Sequence, residues 1–299
     1  MANEKLFDER TRRKLEQLML VASRVRSGAM KGERRSTKRG TSIEFADYRD
    51  YARGDDLRRL DWNILARLER PYIKLLEDEE DLAVHLLIDT SASMDWPQEG
   101  EDGQNKFLYA RRLIAGLAYI SLSTNDRLMI ASLSSAEQKP FGPARGRGFG
   151  MAMLNYMANL RARGATDLNV ALKDYASRSS RPGLCFIISD LFSPNGFQDG
   201  INTLLAKGYE VGLIHVLSPD EINPIMGGDL RLIDVETGKA QEVSMDGGMH
   251  DLYRKRLTTW RDGIRTESLK RGVHYISAET DQPWEKVILQ NLRQLGAVK

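Results

Sequence analysis

The chain has 299 residues, 41% hydrophobic and 29% charged, with a formal net charge of +2, so it can bury a sizeable core and implies no obligate acidic partner. Its one cysteine, Cys185, excludes an internal disulfide and a Cys/His metal site, which fits a reducing compartment. The charged start, Met1 to Arg13, has no signal-peptide stretch, and the longest apolar runs fall far short of the roughly 20 residues of a membrane span, so the chain reads as cytoplasmic and not membrane-inserted.

In chain order, Leu15, Leu18, Val21 or Ala22, and Val25 recur at helical spacing and predict a helix over about 8–26, which Gly28 can end. A basic loop follows, with Lys31, Arg34, Arg35, Lys38 and Arg39, and then a polar stretch over 42–70 rich in paired charges. A short strand is expected at 72–76, and the acidic run 77–81 closes an N-terminal subdomain spanning 1–80. From residue 82 the pattern changes. Apolar strands at 84–88, 127–133, 184–189, 210–217 and 273–277 alternate with helices at 106–121, 149–160, 168–177, 197–207 and 284–295. A short edge strand is expected at 138–141. Buried strands alternating with helices predict an α/β fold, doubly wound, with a mainly parallel sheet and helices on both faces over 81–299. An insertion over about 220–272 interrupts it: a hairpin of 230–235 and 240–245 around Glu236-Thr237-Gly238-Lys239, then a charged helix over 249–271.

The chemistry concentrates at strand ends. After the strand at 84–88 the chain reads Asp89-Thr90-Ser91-Ala92-Ser93-Met94, placing serines two and four positions after an aspartate. A strand ending in a tight turn lets these alternate side chains converge as one carboxylate and two hydroxyls. Mg²⁺ takes such hard oxygens in octahedral geometry at about 2.0–2.1 Å. The pattern alone is weak, and its bland reading is a polar turn. Its placement raises it, because open α/β sheets bind ligands at the carboxyl ends of their central strands. Thr166, in the turn Gly164-Ala165-Thr166-Asp167, and Asp190, ending the strand Ile187-Ile188-Ser189, reach the same point if the strands are neighbours.

Together, Asp-Thr-Ser-Ala-Ser-Met, Gly-Ala-Thr-Asp and Ile-Ser-Asp resemble the metal-ion-dependent adhesion site of von Willebrand factor A domains, over about 81–295. The resemblance implies a Rossmann-like sheet of about six strands. It implies direct coordination of a metal by Ser91, Ser93 and Thr166, with Asp89 and Asp190 acting through water or hydrogen bonds. It also implies an open position for an acidic side chain of a partner. Mg²⁺ is the expected ion, with Mn²⁺ and Ca²⁺ as alternatives. The upstream run Glu44-Phe45-Ala46-Asp47-Tyr48-Arg49-Asp50-Tyr51, then Gly54-Asp55-Asp56-Leu57-Arg58-Arg59-Leu60-Asp61-Trp62, Ala66-Arg67 and Tyr72-Ile73-Lys74, resembles the signature of the bacterial family called domain of unknown function 58. That resemblance implies a MoxR-type AAA+ ATPase as partner. The Arg and Asp residues of this run predict an ionic network that packs a small subdomain, with docking of the ATPase as the functional alternative.

Other signals are set aside. Arg145-Gly146-Arg147-Gly148-Phe149-Gly150 lacks the Gly-Lys-Ser/Thr ending of a phosphate-binding loop, and a plain loop before a helix is expected. His85, His215 and His274 fall in strands and read as packed residues; Met151, Met153 and Met157 read as core. No Ser-His-Asp spacing, metalloprotease helix or reactive cysteine context is present. The expected function is therefore a non-enzymatic, metal-dependent interaction module. A metal-dependent hydrolase or phosphotransferase is the first alternative. An adaptor binding nucleic acid or membrane through the basic loop is the second; nucleic acid is not the expected partner, because no aromatic residues interleave that loop.

Overall fold

The computed structural model describes residues 6, 8–22, 43–52, 54–78, 82–98, 104–134, 138–179, 181–224, 227–245 and 247–299. The basic cluster Lys31, Arg34, Arg35, Lys38 and Arg39 lies outside them. The chain divides into two compact units: Gly32–Asp81, and Met1–Lys31 together with Leu82–Lys299. The expected 1–80 subdomain is thus corrected at its start. Residues of the first segment, Leu6, Leu15, Leu18, Leu20 and Ala22, are buried in the core of the larger unit.

Helix α1 (Glu9–Leu15) begins at Asp8, whose carboxylate accepts from the Thr11 amide at 2.7 Å. The helix expected over 8–26 stops at Leu15. Leu18, Leu20 and Val21 are buried all the same, on extended backbone that bridges Leu20 to Val298. The Met19 amide donates to the Lys299 carbonyl, and the Lys299 amide donates back to the Met19 carbonyl, both at 3.0 Å. Apolar spacing that suits a helix here serves a pairing with a distant segment. Residues 23–26 lie outside the described residues.

In the smaller unit, strand β1 (Ile43–Asp50) pairs antiparallel with β2 (Tyr72–Asp78), with a bulge between Phe45 and Asp47. Helix α2 (Trp62–Leu68) is capped by Asp61, which accepts from the amides of Asn63 and Ile64 and from the Tyr48 hydroxyl. The Arg49–Asp55 ion pair, 2.8 Å, is one pair of the anticipated network. Arg53 and the side chains of Asp47 and Arg59 lie outside the described residues.

The larger unit continues with β3 (Ala83–Asp89), α3 (Lys106–Ser123), β4 (Arg127–Leu133), β5 (Phe141–Ala144), α4 (Gly150–Asn159), α5 (Leu168–Arg178) and β6 (Leu184–Ser189). Then come α6 (Gln198–Ala206), β7 (Glu210–Leu217), α7 (Pro219–Ile222), the hairpin β8 (Gly228–Ile233) and β9 (Ala240–Met245), α8 (Gly247–Lys270) and β10 (His274–Glu279). A short α9 (Trp284–Lys286) runs into a π-helical turn, Val287–Leu292, in place of the regular helix expected over 284–295. The edge strand expected at 138–141 lies three residues on, as β5, and α7 was not anticipated.

The central sheet has six strands in the order β10-β7-β6-β3-β4-β5, all parallel except β5. Strands β3, β6 and β7 are buried at every position because both sheet faces are covered. Successive residues serve opposite cores. Leu86, Ile88, Phe186 and Ile188 join the core under α3 and α4, whereas Leu87, Cys185 and Ile187 join the one under α5 and α6. From β3 the chain moves to β4 on one side and later to β6 on the other. The strand order therefore reverses at β3/β6, the position at which open α/β sheets bind ligands.

Candidate metal centre

Asp89 is the last residue of β3 and is 2% exposed. Its Oδ1 accepts from the Ser91 amide at 3.0 Å and from the Thr166 hydroxyl at 3.1 Å; its Oδ2 accepts from the Ser189 hydroxyl at 2.6 Å. The Ser91 and Ser93 hydroxyls lie 3.0 Å apart. Thr166 also donates to the Leu133 carbonyl at the end of β4, at 2.7 Å. Two backbone bonds hold the loops together: Ala92 N–H to the Gly164 carbonyl and Arg163 N–H to the Thr90 carbonyl, both 2.8 Å. Four of the five expected residues, Asp89, Ser91, Ser93 and Thr166, thus form one hydrogen-bonded group.

Asp190, the fifth, follows β6 next door. Its Oδ1 accepts from the Phe192 amide at 3.1 Å. Its Oδ2 is 2.6 Å from the ammonium of Lys106, which also lies 2.5 Å from Glu221 Oε1. Lys106 is the first residue of α3 and is fully buried. Glu221 sits on α7, and its other oxygen, Oε2, accepts from the Ser218 amide at 2.9 Å. Lys106, Ser189 and Glu221 were not among the residues expected at the site. Ser218-Pro219-Asp220-Glu221 does carry a capping-box spacing that could have marked the Glu221 turn. Nothing local marks Lys106, whose partners lie 84 and 115 positions away.

The electrostatics are those of a partly compensated anionic pocket. Burial, then the neighbouring Asp190 charge, pushes the Asp89 pKa up to about 6, against the pull of its hydrogen bonds. Burial opposes the charge on Lys106, but Asp190 and Glu221 outweigh it and raise the ammonium above its ordinary range. Two buried carboxylates with converging hydroxyls, one of them short of positive charge, fit a hard divalent cation bound through oxygen. Ser91, Ser93 and Thr166 would hold it directly, with Asp89 and Asp190, whose oxygens already accept bonds, anchoring the outer layer. Among the described residues no group of three or more His, Cys, Asp or Glu could hold a metal.

His85 and His215 are packed, as expected, whereas His274 is half-buried. His85 bonds Tyr175 and the Arg181 carbonyl, and burial drives its pKa down to about 4. His215 is held neutral by burial, its pKa lowered to about 3. His274 lies 3.1 Å from Glu210. Met153 and Met157 are core, but Met151 is exposed. The Arg145–Gly150 run makes a 3₁₀ turn, Arg147–Phe149, leading into α4.

Fold and site together define a mixed α/β protein with a largely buried cluster of oxygen donors at the switch point of its sheet. The family described as protein of unknown function DUF58 matches residues 47–262, and the chain belongs to that family. The uncharacterized protein Rv1480 of Mycobacterium tuberculosis is 27% identical over 273 residues, 90% of this chain and 85% of its own length. Uncharacterized protein Mb1516 of Mycobacterium bovis matches to the same extent. Among solved structures, the conserved hypothetical protein BatB from Bacteroides thetaiotaomicron aligns with a TM-score of 0.41 and 16% identity, over 72% of this chain and 98% of that one. An aerotolerance-related membrane protein from Bacteroides fragilis aligns with a TM-score of 0.42 and 18% identity, over 71% and 99%. Among the described residues, no helix is long and apolar enough to cross a membrane.

Proposed function

We propose that this chain is a von Willebrand factor A-type interaction module, cytoplasmic and non-enzymatic, that binds a partner protein through a divalent cation, Mg²⁺ first among candidates. The observation that carries this reading is the grouping of Ser91, Ser93 and Thr166 at Asp89 on the sheet's switch point: Asp89 Oδ1 accepts from the Ser91 amide and the Thr166 hydroxyl, and the Ser91 and Ser93 hydroxyls lie 3.0 Å apart. The cation supplies a Lewis-acidic position that an acidic side chain of a partner can fill. The residues of the chain do the rest: Asp89 orients Ser91 and Thr166, and Ser189 orients Asp89. Trp96 and Phe192, 43% and 42% exposed, lie in the loops that follow Ser93 and Asp190, and exposed aromatic rings suit a protein interface. His215, on the neighbouring strand, is buried and neutral, and supplies no general acid at physiological pH.

The partner inferred from the family resemblance is a MoxR-type AAA+ ATPase, with which the chain would act as adaptor in remodelling a client complex. The test is affinity for the cognate ATPase, in Mg²⁺ and in chelator, for the wild type and Asp89→Ala. Binding that drops at least tenfold on chelation and on substitution supports the reading. Equal affinity in all four measurements removes the cation from the interaction.

A further inference from the structure

Lys106 stands out against three physical tendencies. An ammonium is rarely fully buried, because leaving water is expensive for a charge. It occupies the first position of an 18-residue helix, where the peptide dipoles disfavour a cation. And it lies in the pocket that the cation reading reserves for positive charge. Two acids hold it there: Asp190 at 2.6 Å, from β6, and Glu221 at 2.5 Å, from α7, with the Phe192 ring 5.4 Å from the ammonium. The backbone fixes its start: the Lys106 amide donates to the Trp96 carbonyl at 2.8 Å, and Asn105 beside it bonds Asp95 and Pro97. The side chain is therefore gripped at both ends and cannot swing out to solvent as a surface lysine would.

We infer that Lys106 is a resident cation of the metal centre, a specificity-determining residue that sets the pocket's charge and so limits its affinity for a divalent ion, with Glu221 tuning it from the opposite side. This rests on the proposed cation site and goes beyond it, because none of the five expected oxygen donors requires a lysine. Of the charges gathered here, Asp89 and Asp190 attract an ion, Lys106 repels it, and Glu221 offsets Lys106. Removing the lysine leaves Asp190 unmatched and strengthens ion binding. Removing the charge of Glu221 leaves the ammonium less compensated and weakens it. A purely structural bridge between α3, β6 and α7 predicts otherwise: breaking it from either end loosens the pocket and weakens ion binding in both variants.

The experiment is calorimetric titration of the full chain with MgCl₂, alongside thermal unfolding with Mg²⁺ or EDTA, for the wild type, Lys106→Met and Glu221→Gln. Expected are affinity on the order of tenfold or more tighter in Lys106→Met and several-fold weaker in Glu221→Gln, since fixed charges act strongly in a buried pocket. Lys106→Met should also show the largest gain in unfolding temperature on adding Mg²⁺. Parallel weakening in both variants overturns the inference and leaves the cation site standing. If Lys106→Met does not fold, Lys106→Gln, neutral and similar in length, takes its place: tighter Mg²⁺ binding supports the inference, and unchanged or weaker binding overturns it. Binding that appears in Lys106→Met but not in the wild type supports it in its strongest form, with the lysine standing in for the ion. No binding and no Mg²⁺ effect in any of the three proteins defeats the cation reading itself.

Discussion

His85 sits on β3 with one ring nitrogen 2.7 Å from the Tyr175 hydroxyl and the other 3.0 Å from the Arg181 carbonyl. Unfolded, it takes up a proton near pH 6.5; folded and buried, only at about 4. Between those values the unfolded chain binds more protons. Its contribution is therefore complete above pH 6.5 and disappears as the pH falls towards 4, by about 3 kcal/mol. Urea unfolding midpoints should drop from pH 7 to pH 4.5, and His85→Phe should remove much of that slope. An identical slope in the variant would assign the acid sensitivity to other groups. At this scale the sequence was legible where chemistry is local or carried by family resemblance. Asp89, Ser91 and Ser93 fall within five residues, whereas Lys106 meets its acids only through the fold.

Elements were legible where their apolar runs are continuous. Strands β3, β6 and β7, buried on both faces, stand out as such runs, and β8–β9 announces itself by its turn. Strand β1 did not, because its bulge between Phe45 and Asp47 breaks the two-residue alternation by which a strand is recognised. Helix α1 was overextended because the burial of Leu18 and Leu20 comes from pairing with the 297–299 segment. A tight joint between elements lies at Gly183, just before β6, where an added Cβ would lie 2.0 Å from the Ala83 carbonyl oxygen of β3. Backbone cannot yield as a side chain can. Gly183→Ala should destabilise the larger unit by about 1–3 kcal/mol in chemical denaturation. Because Gly183 lies at the amino end of the strand, opposite the candidate centre, Mg²⁺ affinity should be unchanged. A variant as stable as the wild type would show that β3 and β6 can part without penalty.

At the scale of the molecule, an ion that binds only the folded chain stabilises it by mass action. At a hundred times its dissociation constant Mg²⁺ should add about 2.7 kcal/mol. For a unit of this size that raises the unfolding temperature by about 5–10 °C. Scanning calorimetry with Mg²⁺ and with EDTA measures the difference, and Asp89→Ala should abolish it; a shift that persists in the variant would place the ion elsewhere. The division into two units was only partly readable. The border at residue 81 follows the change from paired charges to apolar runs, whereas the membership of the first segment depends on contacts with the far end of the chain.

The seam that joins Met19 and Val21 to Ala297 and Lys299 bears on how the protein is made. As the ribosome delivers the chain, all five candidate oxygen donors have been translated by residue 190, while the closing partner of the seam, Ala297, is still 107 codons away (297 − 190). The pocket can therefore assemble on the nascent chain well before its larger unit is sewn shut. During that interval the segment holding Leu20 and Val21 lacks its pairing partner, and its apolar side chains stay open to non-native contacts.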